Sequence, residues 1–177
     1  MKKKMDKKLF FIMLICIFTS CASKPNVSGK GDLCGFVIDE NNLPVSDFVI
    51  SASRNKGLWN HTITNSDGMF VFPDSGFGNY SFKGSKNYFM KLKEVNYAFY
   101  DKGKIYCFQI NSIDKALDEV EKMILCEDFE RAEEILNQIS VRKKSQGEIL
   151  ISFYKEYIRN AKNDMKTEKE KIKNEKL

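Results

Sequence analysis

The stretch that decides the fold is residues 33–53, LCGFVIDENNLPVSDFVISAS. It contains two short apolar runs, at 33–38 and 46–53, and the polar residues Asp39-Glu40-Asn41-Asn42 end the first of them. Short apolar runs bounded by turn residues are typical of β-strands. The stretch therefore predicts the first two strands of a β-rich block.

The same rhythm continues beyond residue 53. Residues 59–64 alternate as WNHTIT, which places Trp59, His61 and Ile63 on one face of a strand. Residues 65–68 (NSDG) are a tight-turn signal, in which Asp67-Gly68 supplies a positive φ. Seven or so short strands predict a β-sandwich of about 80 residues, with Phe70 and Tyr80 in its core. The strand candidates that complete the block are residues 69–72, 79–83, 88–95 and 104–111.

Three parts of this block resemble the carboxypeptidase regulatory-like family. Residues 35–50 (GFVIDENNLPVSDFVI) resemble its opening GxVxDxxGxPVxGxxV, 64–70 (TNSDGMF) its TxxDGxF turn, and 78–80 (GNY) its GxY strand. Asn42 stands where the family usually has glycine, and Asp47 where it often has glycine; both residues tolerate turns. The resemblance implies a transthyretin-like sandwich that serves as an accessory module and has no catalytic role of its own.

The N-terminal residues predict an export signal. Residues 1–8 carry five lysines and one aspartate, residues 9–18 (LFFIMLICIF) are uncharged, and small residues follow. This order is typical of a secretory signal peptide, and the apolar run is too short to span a bilayer. A short buried core helix is the alternative. Removing residues 1–20 lowers the formal net charge from +5 to +1. Most of the excess positive charge therefore belongs to the predicted signal peptide.

The segment Phe18-Thr19-Ser20-Cys21 resembles the lipobox of bacterial lipoproteins, although that family usually has Leu where Phe18 stands. The resemblance implies that Cys21 becomes the first mature residue and carries diacylglycerol and an amide-linked acyl chain. Two or more chains hold a protein stably on a membrane. The alternative is ordinary cleavage that leaves Cys21 as a thiol. The Gly-, Pro- and Ser-containing residues that follow predict a flexible tether.

Beyond residue 111 the apolar residues follow helical spacing. Ser112 is a plausible N-cap for the first helix, and Cys126-Glu127-Asp128 separates it from the second. Residues 127–132 (EDFERA) resemble the turn and second helix of a tetratricopeptide repeat; a plain helical hairpin is the alternative. One repeat cannot bury its own apolar face, so we expect it to pack on the sandwich, on the third helix or on a protein partner. The three apolar stripes are Ile113, Ala116, Leu117, Val120 and Ile124; Phe129, Ala132, Ile135, Leu136 and Ile139; and Ile149, Leu150, Phe153, Tyr154, Tyr157, Ile158 and Ala161.

Charge is unevenly distributed over the helical part. Residues 111–140 carry three basic and nine acidic side chains, whereas residues 141–177 carry eleven basic and six acidic ones. The alternating Lys and Glu of the C-terminal tail predict a solvated, fraying helix end, or a helix that lies back across the acidic helices. Since aromatic interleaving is absent from it, we expect no nucleic-acid partner.

Few residues are candidates for chemistry. Cys34 and Cys107 lie on the first and last predicted strands, where they form either a disulfide outside the cytoplasm or buried free thiols. Trp59 and His61 mark either a ligand patch, as in sugar binders, or a half-buried strand face. Because His61 is the single histidine, an HxxE zinc pair is excluded. We expect no catalytic residue, no metal and no cofactor.

The chain is therefore expected to belong to the α+β class with segregated parts. A seven-strand Greek-key β-sandwich precedes a helical hairpin or three-helix segment. The expected function is a non-catalytic binding or assembly lipoprotein, anchored in the cell membrane or outer membrane and facing the periplasm or cell exterior. The alternatives are a carbohydrate-binding surface lipoprotein and an accessory subunit of an extracytoplasmic hydrolase. The expected parts are the signal peptide (1–20), lipidated Cys21 and tether (21–32), sandwich (33–110), helical segment (111–165) and charged tail (166–177).

Overall fold

The computed structural model describes residues 28–174, so the predicted signal peptide, Cys21 and the start of the tether lie outside the described residues. Within 28–174 the chain forms a β-sandwich followed by three helices, which confirms the segregated α+β prediction. No helix within this range is apolar over a sufficient length to cross a membrane. The strands are β1 (Lys30–Ile38), β2 (Val49–Arg54), β3 (Trp59–Ile63), β4 (Met69–Gly76), β5 (Gly78–Ser85), β6 (Phe89–Met90), β7 (Leu92–Phe99), β8 (Ile105–Gln109) and β9 (Ile139–Ser140), and the helices are α1 (Ile113–Leu125), α2 (Phe129–Gln138) and α3 (Gln146–Asn174).

Seven of these strands form the two layers of the sandwich. One sheet has the order β4-β1-β8, in which β1 pairs antiparallel with β4 and parallel with β8. The other sheet has the order β3-β2-β5-β7 and is antiparallel throughout. The alternation along β1 explains its place, because Leu33, Gly35 and Val37 are buried toward the core, whereas Cys34 and Phe36 between them lie on the other face and are only partly buried.

Aromatic rings fill the space between the sheets. The Phe82 ring lies with its centroid 5.3 Å from those of Tyr106 and Phe108, and Phe70 stacks on Phe108 at 5.9 Å. Phe70 and Tyr80 are buried, as the sequence predicts. Large aromatic side chains supply much buried apolar area for few residues, which lets a small sandwich hold a core.

The turns of the sandwich use residues that tolerate a left-handed backbone. Gly68 has φ +70°, as the NSDG signal predicts. Asn42 and Asp47, which stand at the glycine positions of the resembled family, have φ of 62° and 50°. Asn and Asp adopt this region at lower cost than other non-glycine residues, so the turns survive both replacements.

The first two helices begin and bury their apolar stripes as predicted. The Ser112 side chain caps α1 by accepting a hydrogen bond from the Lys115 N–H, and Asp128 caps α2 in the same way from Arg131. Both helices turn their stripes into a second core, separate from that of the sandwich. Its fully covered members include Ala116, Val120, Ala132 and Leu136.

The third apolar stripe is only partly correct. Ile158 is buried, but so is Ile151, which lies outside the predicted stripe and is 6% exposed. Ile149 is 68% exposed and Phe153 63% exposed. The reason is geometric: two shorter helices cover α3 along one narrow line, so only part of its broad apolar face is covered.

The charged tail continues α3 and does not begin a separate segment. The helix runs unbroken past residue 165. The Lys162 Nζ lies 2.9 Å from Glu133 of α2, and Met165 packs against the helical core. Lys162 and Met165 thus lie against α2 and the helical core, whereas the side chains of residues 166–171 are exposed, as the solvated alternative predicts.

A small sheet joins the helices to the sandwich. Strand β6 follows β5 after three residues and pairs antiparallel with β9, which lies between α2 and α3. The backbone of Tyr88 adds two bonds, donating from its N–H to Ser140 at 2.7 Å and accepting from Ile113 at 2.8 Å. The helical segment is thereby tied to the sandwich at the start of α1 and at the connection between α2 and α3.

Candidate binding surfaces

The outer face of the β3-β2-β5-β7 sheet carries an ordered set of polar and aromatic side chains, here called the polar–aromatic face. The strand register sets His61, Ser51 and Lys83 side by side in one row. It sets Trp59, Ser53, Ser81 and Asn96 in the next row. Side chains facing outward at every second residue produce this arrangement.

Contacts within this face order its side chains. The Ser51 Oγ lies 2.7 Å from the His61 Nδ1, and the Ser81 hydroxyl donates to Asn96 Oδ1 at 2.6 Å. The Lys83 ammonium lies 4.0 Å from the centre of the Trp59 ring. A shallow hollow beside these rows is lined by Asn55, Lys56, Asn79, Ser81 and Asn96.

The structure therefore brings the two residues of the predicted ligand patch together on one face. The Trp59 ring is half-buried and His61 is exposed. An aromatic ring can stack on a sugar ring, and exposed amide groups on the same face can hydrogen-bond the sugar's hydroxyls. Ligand binding at Trp59 and His61 stays a prediction.

A second surface lies on the helical segment, here called the apolar groove. Its lining residues are Glu121, Ile124 and Leu125 of α1 and Phe153, Tyr154 and Tyr157 of α3. Leu125 is 84% exposed and Tyr157 51% exposed, although both are large apolar side chains. A continuous exposed apolar surface of this kind typically marks an interaction site in a folded protein.

Tyr154 of α3 is hydrogen-bonded to α1, the other helix that lines the groove. Its hydroxyl donates to Glu121 Oε1 at 2.5 Å. That hydrogen bond raises the pKa of Tyr154 to about 12, and burial and the charges of Glu121 and Asp118 add to the shift. Two α1 carboxylates therefore lie close to the phenol.

The sequence does not identify the groove, because its residues fit an ordinary buried stripe. The one available signal is the breadth of the third stripe. Two adjacent pairs, Ile149-Leu150 and Phe153-Tyr154, span more of the helix circumference than two short partner helices cover.

Cys34 and Cys107 do not form a disulfide in this structure, and both are free thiols. Cys34 pairs with Ile105 and Cys107 with Phe36, so the two cysteines are offset by two residues on neighbouring strands. Such diagonal neighbours lie roughly 7–8 Å apart, beyond the usual disulfide range of about 4.4–6.8 Å between Cα atoms. The alternative of buried thiols is also incomplete, because Cys107 is exposed.

The described residues hold no group of three or more His, Cys, Asp or Glu side chains arranged for a metal ion. Burial, followed by the charge of Asp32, raises the pKa of the Cys34 thiol. This shift makes Cys34 a poor nucleophile, since the thiolate is the reactive form.

Comparison with known proteins finds no family and only solved structures of low similarity. No family model matches the chain, and no curated protein matches it. Among solved structures, the 5-hydroxyisourate hydrolase of Klebsiella pneumoniae is 16% identical, with a TM-score of 0.38, over 46% of this chain and 90% of the hydrolase. A streptococcal ancillary pilin is 12% identical, with a TM-score of 0.41, over 48% of this chain and 30% of the pilin.

A third similar structure is the 3-chlorocatechol 1,2-dioxygenase of Rhodococcus opacus 1CP. It is 11% identical, with a TM-score of 0.37, over 48% of this chain and 60% of the dioxygenase. These similarities are too low to bear on what the chain binds or does. What characterises the described residues is their own structure: a β-sandwich joined to three helices that carry an exposed apolar groove.

Proposed function

We propose that this chain is an exported, lipid-anchored binding or assembly protein of the cell envelope that recruits a protein partner through its helical segment and catalyses no reaction. The observation that carries this proposal is the apolar groove. The sandwich core is closed by its own two sheets, whereas Leu125, Phe153 and Tyr157 remain exposed on the helices. Covering such a surface with a partner is favourable because apolar area leaves water.

The anchor in this proposal is Cys21, supported by the lipobox resemblance at residues 18–21. Strand β1 begins at Lys30, nine residues after Cys21. A fully extended tether of that length reaches roughly 30 Å. The sandwich is therefore held near the membrane surface, with the helical segment attached to it through β6 and β9.

The anchor is tested by cell fractionation. Cys21→Ala removes the acceptor of the lipid, so we expect the protein to leave the membrane fraction. Cys107→Ala is the matched control, because Cys107 is an exposed sandwich thiol, and it is expected to stay membrane-bound. Membrane retention of Cys21→Ala would exclude lipid anchoring at that residue.

The groove is tested by photo-crosslinking in the native cell. A benzoylphenylalanine placed at Leu125 is expected to give a discrete adduct with one protein, and a second substitution, Phe153→Ala, is expected to remove it. The same photoreactive residue at Leu58 is the control, since Leu58 is equally exposed but lies on the sandwich. Equal adducts from both positions, or none from Leu125, would overturn the proposed recruitment.

Carbohydrate recognition is the second candidate, and the polar–aromatic face favours it. Trp59 shares this face of the sheet with the exposed amides of Asn79 and Asn96, whereas the Ser53 and Ser81 hydroxyls are buried and already hydrogen-bonded. A glycan array is expected to show binding that Trp59→Ala abolishes and Tyr100→Ala leaves intact. An accessory role beside a hydrolase is a special case of the first proposal, with the hydrolase as the partner.

A further inference from the structure

The apolar groove has the form of a slot between two helices. On α3, Leu150, Phe153 and Tyr157 are spaced i, i+3 and i+7 and therefore share a face. On α1, Ile124 and Leu125 form the opposite wall. Helices that pack side by side present ridges and grooves that match a further helix, and amphipathic helices commonly bind such slots.

The α1 wall of the groove is acidic. Asp114, Asp118 and Glu121 are spaced i, i+4 and i+7, and Leu125 follows at i+11, so all four share one face. Asp118 and Glu121 lie close enough to Tyr154 to raise its pKa. The exposed apolar side chains of the groove are therefore bordered by carboxylates.

Four lysines of α3 lie on the other side of that helix, toward α2. Lys162 forms an ion pair with Glu133 of α2 at 2.9 Å, and Lys155 donates to Asn137 Oδ1 of α2 at 2.6 Å. Lys166 and Lys169 line a cleft with the acidic residues that begin α2. The positive charge of these four lysines is thus directed toward α2 and not toward the groove.

The face of α3 that carries Tyr157 becomes acidic further along. Asp164 and Glu168 follow Tyr157 at i+7 and i+11 and share its face. From Leu150 to Glu168 this face extends about 27 Å at 1.5 Å per residue. A second copy of this chain is a poor occupant, because symmetric pairing through the groove brings these carboxylates toward one another.

We infer that the groove binds an amphipathic α-helix of a partner protein whose apolar stripe is flanked by lysine or arginine. The stripe packs on Leu125, Phe153 and Tyr157, and the basic flanks face Asp118 and Glu121. This inference rests on the proposed function, since it states which kind of protein is recruited. Opposite charges at the rim determine orientation and partner choice, while the apolar contacts supply most of the affinity.

The test uses the full chain in zwitterionic nanodiscs and three fluorescent designed peptides. One peptide carries a Leu/Phe stripe at helical spacing with lysine flanks, the second has the same stripe with glutamate flanks, and the third has lysine flanks with a scrambled stripe. Fluorescence anisotropy is expected to show that the first binds at least about tenfold more tightly than either of the others. Raising the salt from about 0.05 M to about 0.5 M is expected to reduce the difference in affinity between the lysine and the glutamate peptides, because salt screens the charges.

Variants assign the binding to the groove. Phe153→Ala is expected to weaken the lysine peptide about tenfold or more. Glu121→Gln keeps the hydrogen-bond acceptor for Tyr154 and removes the charge. It is therefore expected to reduce the ratio of the affinities for the lysine and glutamate peptides. Leu58→Ala, on the sandwich, is the control, and it is expected to change neither the affinity for the lysine peptide nor that ratio.

Equal binding of the lysine and glutamate peptides, or binding that Phe153→Ala does not weaken, would overturn the inference. Concentration-dependent dimerisation of the full chain that Phe153→Ala abolishes would also overturn it and assign the groove to a second copy. These results differ from a failure of the proposed function. That function fails when photo-crosslinking from Leu125 finds no partner, whatever the peptides do.

Discussion

The carboxylate of Glu40 accepts two hydrogen bonds from Ser112, one from its backbone N–H at 2.9 Å and one from its hydroxyl at 2.5 Å. Glu40 follows the first strand of the sandwich, and Ser112 is the N-cap of α1. The Ser112 hydroxyl also accepts from Lys115. One side chain of the sandwich therefore holds the residue that starts the helical segment.

Removing this carboxylate is expected to destabilise the protein. Glu40→Ala leaves the Ser112 donors without their partner, which costs about 1–3 kcal/mol at pH 7. Urea unfolding measures the loss, and Glu94→Ala, at an exposed strand position, is the control with an expected change within about 0.5 kcal/mol. A Glu40→Ala variant as stable as the control would show that the contact contributes nothing.

The same contact predicts a pH dependence. Burial of Glu40 alone raises the pKa of its carboxyl, but the hydrogen bonds from the Ser112 hydroxyl and N–H and the charge of Lys115 together lower it below the ordinary value. A lowered folded-state pKa stabilises the fold above the unfolded-state pKa, and that stabilisation is lost as the pH falls through the folded-state value. The stability gap between wild type and Glu40→Ala is therefore expected to shrink at low pH.

The positive φ of Gly68 predicts a strong effect of a single methyl group. A Cβ there would lie 2.5 Å from the Val37 carbonyl oxygen, at φ +70°. We expect Gly68→Ala to cost more than about 2 kcal/mol by thermal or urea unfolding. At Gly103 the nearest atom to an added Cβ is 3.5 Å away, so Gly103→Ala is expected to be near neutral.

The observed orientation of α3 predicts very different losses of stability for two isoleucines that lie two residues apart. Ile151→Ala is expected to cost about 2–5 kcal/mol because it leaves a cavity in the helical core. Ile149→Ala is expected to change stability by less than about 0.5 kcal/mol, since this side chain is largely exposed. Equal losses at both positions would contradict the observed orientation of α3.

The cysteines are expected to differ in reactivity. Cys107 and Cys126 are exposed and should alkylate readily with iodoacetamide, whereas Cys34 should react more slowly because it is half-covered and its thiol pKa is raised. Peptide mass spectrometry at mildly alkaline pH measures the three rates, and urea should bring Cys34 to the rate of the others. A Cys34–Cys107 cross-linked peptide in a non-reduced digest would contradict the free thiols.

Tyr154 and Tyr106 are expected to remain un-ionised at about pH 11, where ordinary tyrosines ionise. The pKa of each is raised to about 12, that of Tyr154 chiefly by its bond to Glu121 and that of Tyr106 chiefly by burial. In Glu121→Gln, the ¹³C-tyrosine NMR signal of Tyr154 should begin to titrate by that pH while that of Tyr106 does not. An unchanged Tyr154 signal would show that Glu121 does not control the phenol.

Much of the fold follows from local patterns. The strands containing Leu33 and Trp59, the turn at Gly68 and the Ser112 cap are predicted from neighbouring residues and confirmed. These features depend on interactions within a few residues, such as alternation, backbone φ and a capping hydrogen bond. The outward orientation of Phe153 and Tyr157 is not predicted, because it depends on how much of α3 other helices cover.

The sequence by itself determined the division into a strand-rich and a helix-rich part, and the residues able to start and end each element. Only the tertiary structure decided that Cys34 and Cys107 are out of register, that Glu40 holds Ser112, and that Phe153 faces outward beside the carboxylates of α1. The physical reason is range. Backbone preference and periodicity act over a few neighbouring residues, whereas register, packing coverage and the sorting of charge depend on residues brought together from distant parts of the chain.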